Sequence, residues 1–207
     1  QATHFYFTDE DFFARPVEEM EEFSKNYRER VGIPFECMAS PRQITDEKVA
    51  LAAKAGMFQI DVGMESGSER VRREVFDRRV TDEMQMQAAN AINKHARDSP
   101  LYFLIIGNPY EEREDLIDGL RFVEGMPSPF SLRTYSLVFI PGTRLYQKAC
   151  EDGIISGIED SASNLDFLAG LDHKAHDWKR KNLYLNCLLS LMCCFFTKSL
   201  LESQCFT

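Results

Sequence analysis

The sequence predicts an α/β protein built on a parallel sheet. Strand-like apolar runs alternate five times with segments of helical periodicity over about 150 residues. The spacing between runs fits parallel strands joined by right-handed helical crossovers. The runs themselves are nearly continuous in apolar residues, as expected of strands covered on both faces. Two architectures share these features, an open doubly wound sheet and part of a (β/α) barrel. Both gather ligands at the C-terminal ends of their strands.

The elements follow in order. "HFYFT" (4–8) is β-branched and aromatic and reads as a strand. Residues 15–32 form a helix with Pro16 in its first turn, apolar Val17, Met20, Phe23, Tyr27 and Val31, and Gly32 as its stop. A short strand at 34–38 is followed by a helix at 45–56, with Thr45 as N-cap, two acids in the first turn and Gly56 at the end. "FQIDVGM" (58–64) is the third strand, followed by a short helix at 68–76 and a longer one at 81–96 that opens on Thr-Asp-Glu. "LYFLIIG" (101–107) is the most apolar strand, and 112–126 a helix with Leu116, Ile117, Leu120 and Val123 on one face. "TYSLVFI" (134–140) and a helix at 143–153 complete the series.

Composition narrows the function classes. The 207 residues provide one domain, or one domain and an appendage: an α/β unit at 1–155 and a linker with a helical extension at 156–207. Sixteen Phe suffice for a packed core. Lys and Arg number 24 against 33 Asp and Glu, a net charge of −9, which argues against nucleic acid as a partner because that affinity rests on cationic neutralisation. Cys37, Cys150, Cys187, Cys193, Cys194 and Cys205 form no C-x-x-C pair. Without a basic and apolar leader, they point to a reducing cytoplasm rather than a disulfide framework. The chain has no initiator Met and opens almost at once on an apolar run, which reads as a fragment.

In the last fifty residues, 156–164 reads as a linker. His173 and His176 are spaced for one helix face, with no third metal ligand nearby, and read as solvated surface residues. The apolar run from Leu183 to Phe196 is too short to span a bilayer and reads as a helix packed on the barrel or on a missing partner segment, with membrane-surface attachment as the alternative.

Parallel strands bring their C-terminal ends to one face. There the sequence places Thr8, Asp9, Glu10 and Asp11, then Cys37 and Arg42, then Glu65, Ser66 and Ser68 around Gly67. Gly107, Asn108, Pro109 and Glu111 come next, then Pro141, Gly142 and Thr143. Singly, each group is a turn or a cap, and Ser68 is suited to cap the helix behind it. Together they form a rim of carboxylates and hydroxyls suited to a small polar, cationic or zwitterionic ligand. Neither G-x-G-x-x-G after the first strand nor G-x-x-x-x-G-K-[ST] occurs, which takes most of the support from nucleotide-phosphate readings.

The order "FYFTDEDF", "DVGMESGSERV", "FLIIGNPYEEREDL" and "LVFIPGTRLYQKACEDG" resembles the radical S-adenosylmethionine superfamily over residues 3–155, most closely the branch that often carries a cobalamin-binding domain upstream. The resemblance implies a partial (β/α)6 TIM-like barrel of parallel strands. It implies a 4Fe–4S cluster and S-adenosylmethionine, with cobalamin supplied through an upstream domain. Reductive cleavage at the cluster would give a 5′-deoxyadenosyl radical that acts on a substrate by methyl transfer, cyclisation or rearrangement. The substrate would be a small molecule or cofactor precursor, and a flavodoxin or ferredoxin would be the reductant. By motif position, Asp9, Glu10 and Asp11 would face the methionine amine. Glu65 and Ser66 would face the methionine carboxylate and ribose, and the backbone of Ile106, Gly107 and Asn108 would lie near the adenine.

Two departures stand out. The family's Cys-x3-Cys-x2-Cys loop is absent, so the cluster ligands lie outside this chain, as they would if the first βα unit were missing. Tyr110 stands where the motif has Gly, which asks for a differently built turn, and Glu112 replaces the usual Thr. Two other readings fit the same rim: a cluster-free (β/α) enzyme using carboxylate acid/base chemistry, and a non-catalytic binding module derived from such a barrel.

Overall fold

The computed structural model describes residues 2–156 and 182–195. Five strands, β1 (Phe5–Phe7), β2 (Phe35–Ala39), β3 (Met57–Glu65), β4 (Leu101–Ile106) and β5 (Ser131–Ser136), form one sheet in the order β1-β2-β3-β4-β5, every pairing parallel. Sequential order without a reversal is barrel winding, and it excludes the doubly wound sheet, whose order reverses at a switch point. The sheet does not close on itself.

The crossovers are α1 (Val17–Arg30), α2 (Asp46–Ala55), α3 (Asp82–His95) and α4 (Arg113–Glu124), with α5 (Arg144–Glu151) after β5 and α6 (Leu183–Phe195) beyond it. Thr45 and Thr81 accept amide hydrogen bonds from Lys48 and Met84, as N-caps do. Gly56 ends α2 at φ 118°, a conformation that favours glycine.

One face of the sheet forms the main core. Phe35, Cys37, Ile60, Val62, Met64, Tyr102, Leu104 and Leu132 pack there against Met20 and Tyr27 of α1, Val49 and Ala52 of α2, Ala88 and Ile92 of α3, Leu116 and Val123 of α4, and Leu189 of α6. The rings of Phe7, Phe12, Phe23, Tyr27 and Phe35 meet within it at favourable edge and tilted angles. The opposite face of the sheet is concave in a barrel, and the alternation of side chains assigns it Tyr6, Glu36, Met38, Asp61, Gly63, Phe103 and Arg133. The expectation of apolar cover on both faces therefore fails: β3 and β5 alternate, and their concave sides are largely polar.

Other boundaries also shift. The fifth strand runs Ser131–Ser136 rather than 134–140, because Leu132 must reach the core while Ser131 continues the ladder by donating to the Pro100 carbonyl. Leu137 and Phe139 are apolar for a different reason: with Ala149 and Ile155 they build a second small cluster above β5. The segment after β3 contains a π-helical turn, Val71–Val75. Val31 is exposed at the end of α1. His173, His176 and the linker from 157 onward lie outside the described residues.

Candidate functional site

β3 carries the central feature of the mouth. Its pairing with β4 slips between Gly63 and Glu65, a β-bulge of the kind that re-aims a side chain. The Ser66 amide then donates to the Met64 carbonyl at 2.9 Å, and Glu65, between them, has φ 67°. This is a γ-turn of the strained sort, at a residue other than glycine. It keeps the Glu65 carboxylate on the concave side, where Oε1 pairs with Arg78 at 2.9 Å. Burial pushes the Glu65 carboxyl above its ordinary range, while Arg78 pulls against it. Gly63 leaves room for this group: a Cβ there would sit 2.8 Å from Glu65 Oε1.

Arg78 also acts on Asp11. Burial raises the Asp11 carboxyl, and the backbone amides of Ser40 and Phe13, then Lys48 and Arg78, oppose the rise. The three consecutive acids after β1 thus separate. Asp9 pairs with Arg15 at 2.7 Å, Glu10 is exposed, and the half-buried Asp11 accepts the Phe13 amide at 3.2 Å. Glu65 thus pairs with a guanidinium that the sequence reading missed, and Asp11 lies within its electrostatic reach. "DRRV" (77–80) looks like a solvated basic run, and only the return of this loop over β3 makes Arg78 part of the rim.

Ser66 is buried and accepts the Ser68 amide at 3.1 Å while donating to Glu111 Oε1 at 3.3 Å. Glu111, in the loop between β4 and α4, is 3% exposed. Burial lifts its carboxyl to about 7, against the pull of Ser66 and with the help of Asp115. Asn108 Oδ1 accepts the Tyr110 amide at 3.0 Å, and the Asn108 carbonyl accepts the Glu111 amide at 3.2 Å. This Asx-type turn accommodates Tyr110 where the motif has Gly, and Tyr110 stays out of the left-handed region. Among the described residues, Asn108 Nδ2 and Glu111 Oε2 are buried without a hydrogen-bond partner. Buried polar atoms are nearly always satisfied, so this donor and acceptor call for a partner.

The other two positions of the β4 end contribute differently. Ile106 packs its side chain on the main core and accepts the Leu137 amide at its carbonyl. The Gly107 amide, at φ 68°, donates to Asn186 of α6 at 3.2 Å. Ser68 donates to Asp115 at 2.8 Å and accepts the Val71 amide at 3.4 Å, so its capping role stands. Burial pushes the Asp115 carboxyl up, but Arg70, the Glu112 amide and Ser68 bring it below its ordinary range.

Above these groups lies a cleft of ≈ 920 Å³ between the 70–78 segment and the 137–148 segment, walled by Ile105, Tyr110 and Phe139, with Glu65 and Arg78 at its edge. Its size suits a cosubstrate and a substrate together. For a 4Fe–4S cluster the described residues do not fit. Cys37 lies in the main core, 3.6 Å from Met57 Sδ, with its thiol pushed up by burial. No group of three ligating side chains occurs among the described residues.

Comparison with known proteins agrees with the fold. A sequence model of the Radical SAM superfamily matches residues 1–123. No curated protein matches. Among solved structures, coproporphyrinogen III oxidase (HemN) from Escherichia coli, a radical SAM enzyme, superposes with a TM-score of 0.61 at 17% identity, over 81% of this chain and 38% of its own. The radical S-adenosylmethionine methyltransferase TsrM from Kitasatospora setae, solved with cobalamin and a [4Fe-4S] cluster bound, gives 0.60 at 14% identity, over 72% of this chain and 31% of its own. Elp3 from Methanocaldococcus infernus gives 0.56 at 15% identity, over 73% and 41%. The chain thus spans about two fifths or less of the structures it matches.

Proposed function

Because the chain belongs to the radical S-adenosylmethionine superfamily, we propose that it is the part of such an enzyme that binds S-adenosylmethionine at the C-terminal ends of its strands. The family's chemistry is S-adenosylmethionine-dependent radical chemistry, in which a 4Fe–4S cluster delivers the electron that generates the reactive radical. The described residues hold no thiolate set for that cluster, so the roles assigned here concern the cosubstrate alone. The observation that carries the reading is Glu65: a desolvated carboxylate on a bulged, strained turn at the barrel mouth, paired with Arg78.

Arg78 supplies the positive charge that the methionine carboxylate needs, and Glu65, with Asp11 further off, supplies acceptors for the amine and the ribose hydroxyls. Asn108 Nδ2 and Glu111 Oε2 offer an unpaired donor and acceptor to the adenine edge. Ser66 positions Glu111, and Asp9 and Glu10 remain outside the contact set. The apolar walls above β4 and β5, Ile105 and Phe139 among them, would displace water around a bound ligand and strengthen each of these interactions.

The barrel unit is taken as 1–155 with 156–207 as its extension, and the whole enzyme is taken to act on a small molecule or cofactor precursor with a flavodoxin- or ferredoxin-type reductant. A cobalamin domain and a cytoplasmic setting complete the proposal. The latter draws on the free thiols of Cys37, Cys150 and Cys187. Among the described residues no helix is long and apolar enough to cross a membrane.

Isothermal titration of S-adenosylmethionine into the intact chain tests the reading. Glu65→Ala is expected to weaken binding by about 1.5–3 kcal/mol, tenfold or more, with an unchanged circular dichroism spectrum. Equal affinity in the two proteins would return Glu65 to a purely structural role.

A further inference from the structure

The concave face below the mouth carries a second polar constellation that the cosubstrate reading does not use. Asp61, in the middle of β3, is 7% exposed. It accepts the Tyr6 hydroxyl at 3.1 Å and a longer bond from Gln59 at 3.5 Å. Burial pushes its carboxyl up, and only these bonds and the distant Arg133 pull it back. A carboxylate at this depth in a sheet is costly, and a core built for stability alone would place an apolar residue there.

Arg133 of β5 stands on the same face: its neighbour Leu132 enters the main core, so Arg133 points the other way. Among the described residues Arg133 forms no ion pair, in contrast to Arg70, Arg72, Arg78 and Arg144. It is paired in register with Phe103, whose ring meets that of Tyr135 edge-on at 5.6 Å.

Register fixes the spacing of the two charges. Asp61 is level with Leu101 and Ser131, and Arg133 lies two residues further along, two strands away. Their Cα atoms are therefore about 12 Å apart. Both side chains stand off the sheet, so that separation leaves room for a span of roughly 8 Å between carboxylate and guanidinium, which an amino acid's ammonium and carboxylate need with a hydrogen bond at each end.

We propose that this face binds a small zwitterionic substrate of the α-amino-acid kind. Its ammonium group meets Asp61, its carboxylate meets Arg133, and its apolar side chain lies over Phe103 and Tyr135. The surface leads directly to the mouth, because Asp61, Gly63 and Glu65 share one side of β3. The identification of this zwitterion as the substrate rests on the cosubstrate reading above, whereas its binding does not.

Saturation-transfer NMR on the intact chain tests the proposal with L-phenylalanine, 2-phenylethylamine and 3-phenylpropanoate, which share a ring and differ in charge. L-Phenylalanine is expected to bind about tenfold more tightly than either singly charged analogue. Asp61→Asn keeps the acceptor for Tyr6 and should reduce L-phenylalanine to the level of 3-phenylpropanoate. Arg133→Met should reduce it to the level of 2-phenylethylamine. Tyr6→Phe removes the hydrogen bond but not the charge, and should stay within about threefold of the parent. If Asp61 served only to pin β1 to β3, Tyr6→Phe and Asp61→Asn would instead affect stability alike and binding not at all.

Equal binding of the three probes, no binding of any, or an unaltered preference in Asp61→Asn would overturn the proposal. S-Adenosylmethionine titrations on the same variants separate the two readings. Asp61→Asn and Arg133→Met should retain cosubstrate affinity. Zwitterion preference without cosubstrate binding would sink the mouth reading and leave this one standing.

Discussion

Glu65 concentrates the conflict between stability and function in one residue. Its φ of 67° suits glycine, and strain of this kind costs about 1–3 kcal/mol. Glu65→Gly is therefore expected to stabilise the fold by about 1 kcal/mol in urea denaturation, while Glu65→Ala keeps the strained backbone and gains less. Both should lose cosubstrate affinity. A destabilised Glu65→Gly would show that the turn is held by the Arg78 pair rather than strained against it. Glu111 adds a pH signature. Its folded carboxyl titrates near 7, above the ordinary 4.5. The buried protonated form thus favours folding fully below pH 4.5, and this contribution is lost as the pH rises through 7. Denaturation midpoints measured from pH 4.5 to 8 should fall more steeply for the parent than for Glu111→Gln. Parallel curves would mean that Glu111 is hydrated or paired.

Between β3 and α4 the decisive contact involves no side chain. A Cβ on Gly67 would lie 2.5 Å from the Gly119 Cα, whereas a Cβ on Gly119 would lie an ordinary 3.6 Å from that of Gly67. Gly67→Ala should cost about 3 kcal/mol, and Gly119→Ala should be neutral or stabilising by about 0.5–1 kcal/mol through helix propensity. Thermal melts of the two variants give opposite signs if the contact is as described, and equal small losses if the loop simply moves aside. Gly67 thus provides closeness rather than flexibility, which "ESGS" as a string does not reveal, because its partner lies some fifty residues away.

The loop behind Gly67 is held by Arg72, which is fully buried. It donates to the Val80 carbonyl at 3.0 Å and the Ser66 carbonyl at 2.7 Å, pairs with Asp82, and lies against the Phe122 ring. In the sequence Arg72 is one of five cationic residues between 70 and 79, and nothing local separates it from exposed Arg73. Arg72→Met should destabilise by about 3 kcal/mol, because three acceptors lose their donor. Caps and stops were easier to read: Thr45, Thr81 and Gly56 act within one turn of their own position, so the string contains the whole interaction.

At the scale of the molecule, the five βα repeats in the chain order of the sheet give an open barrel segment, with its helices on one face and a polar, concave other face. The alternation of apolar runs was enough to read a parallel sheet, since each strand is defined by its own residues. The choice between barrel and doubly wound sheet was not legible from periodicity, because it depends on which neighbour each strand takes. The motif resemblance supplied it. Likewise Glu65, Ser66 and Asn108 can be placed after strands from the string alone, whereas the positions of Arg78, Asp61 and Arg133 cannot. Those positions arise from a loop that folds back and from register across three strands. The most direct test of the central claim is ultraviolet cross-linking of radiolabelled S-adenosylmethionine to the intact chain, followed by peptide mapping. Label on peptides containing residues 61–78 or 106–111 is the predicted result. Label confined to the helical face, on α1 or α2, would contradict a cosubstrate site at the strand ends.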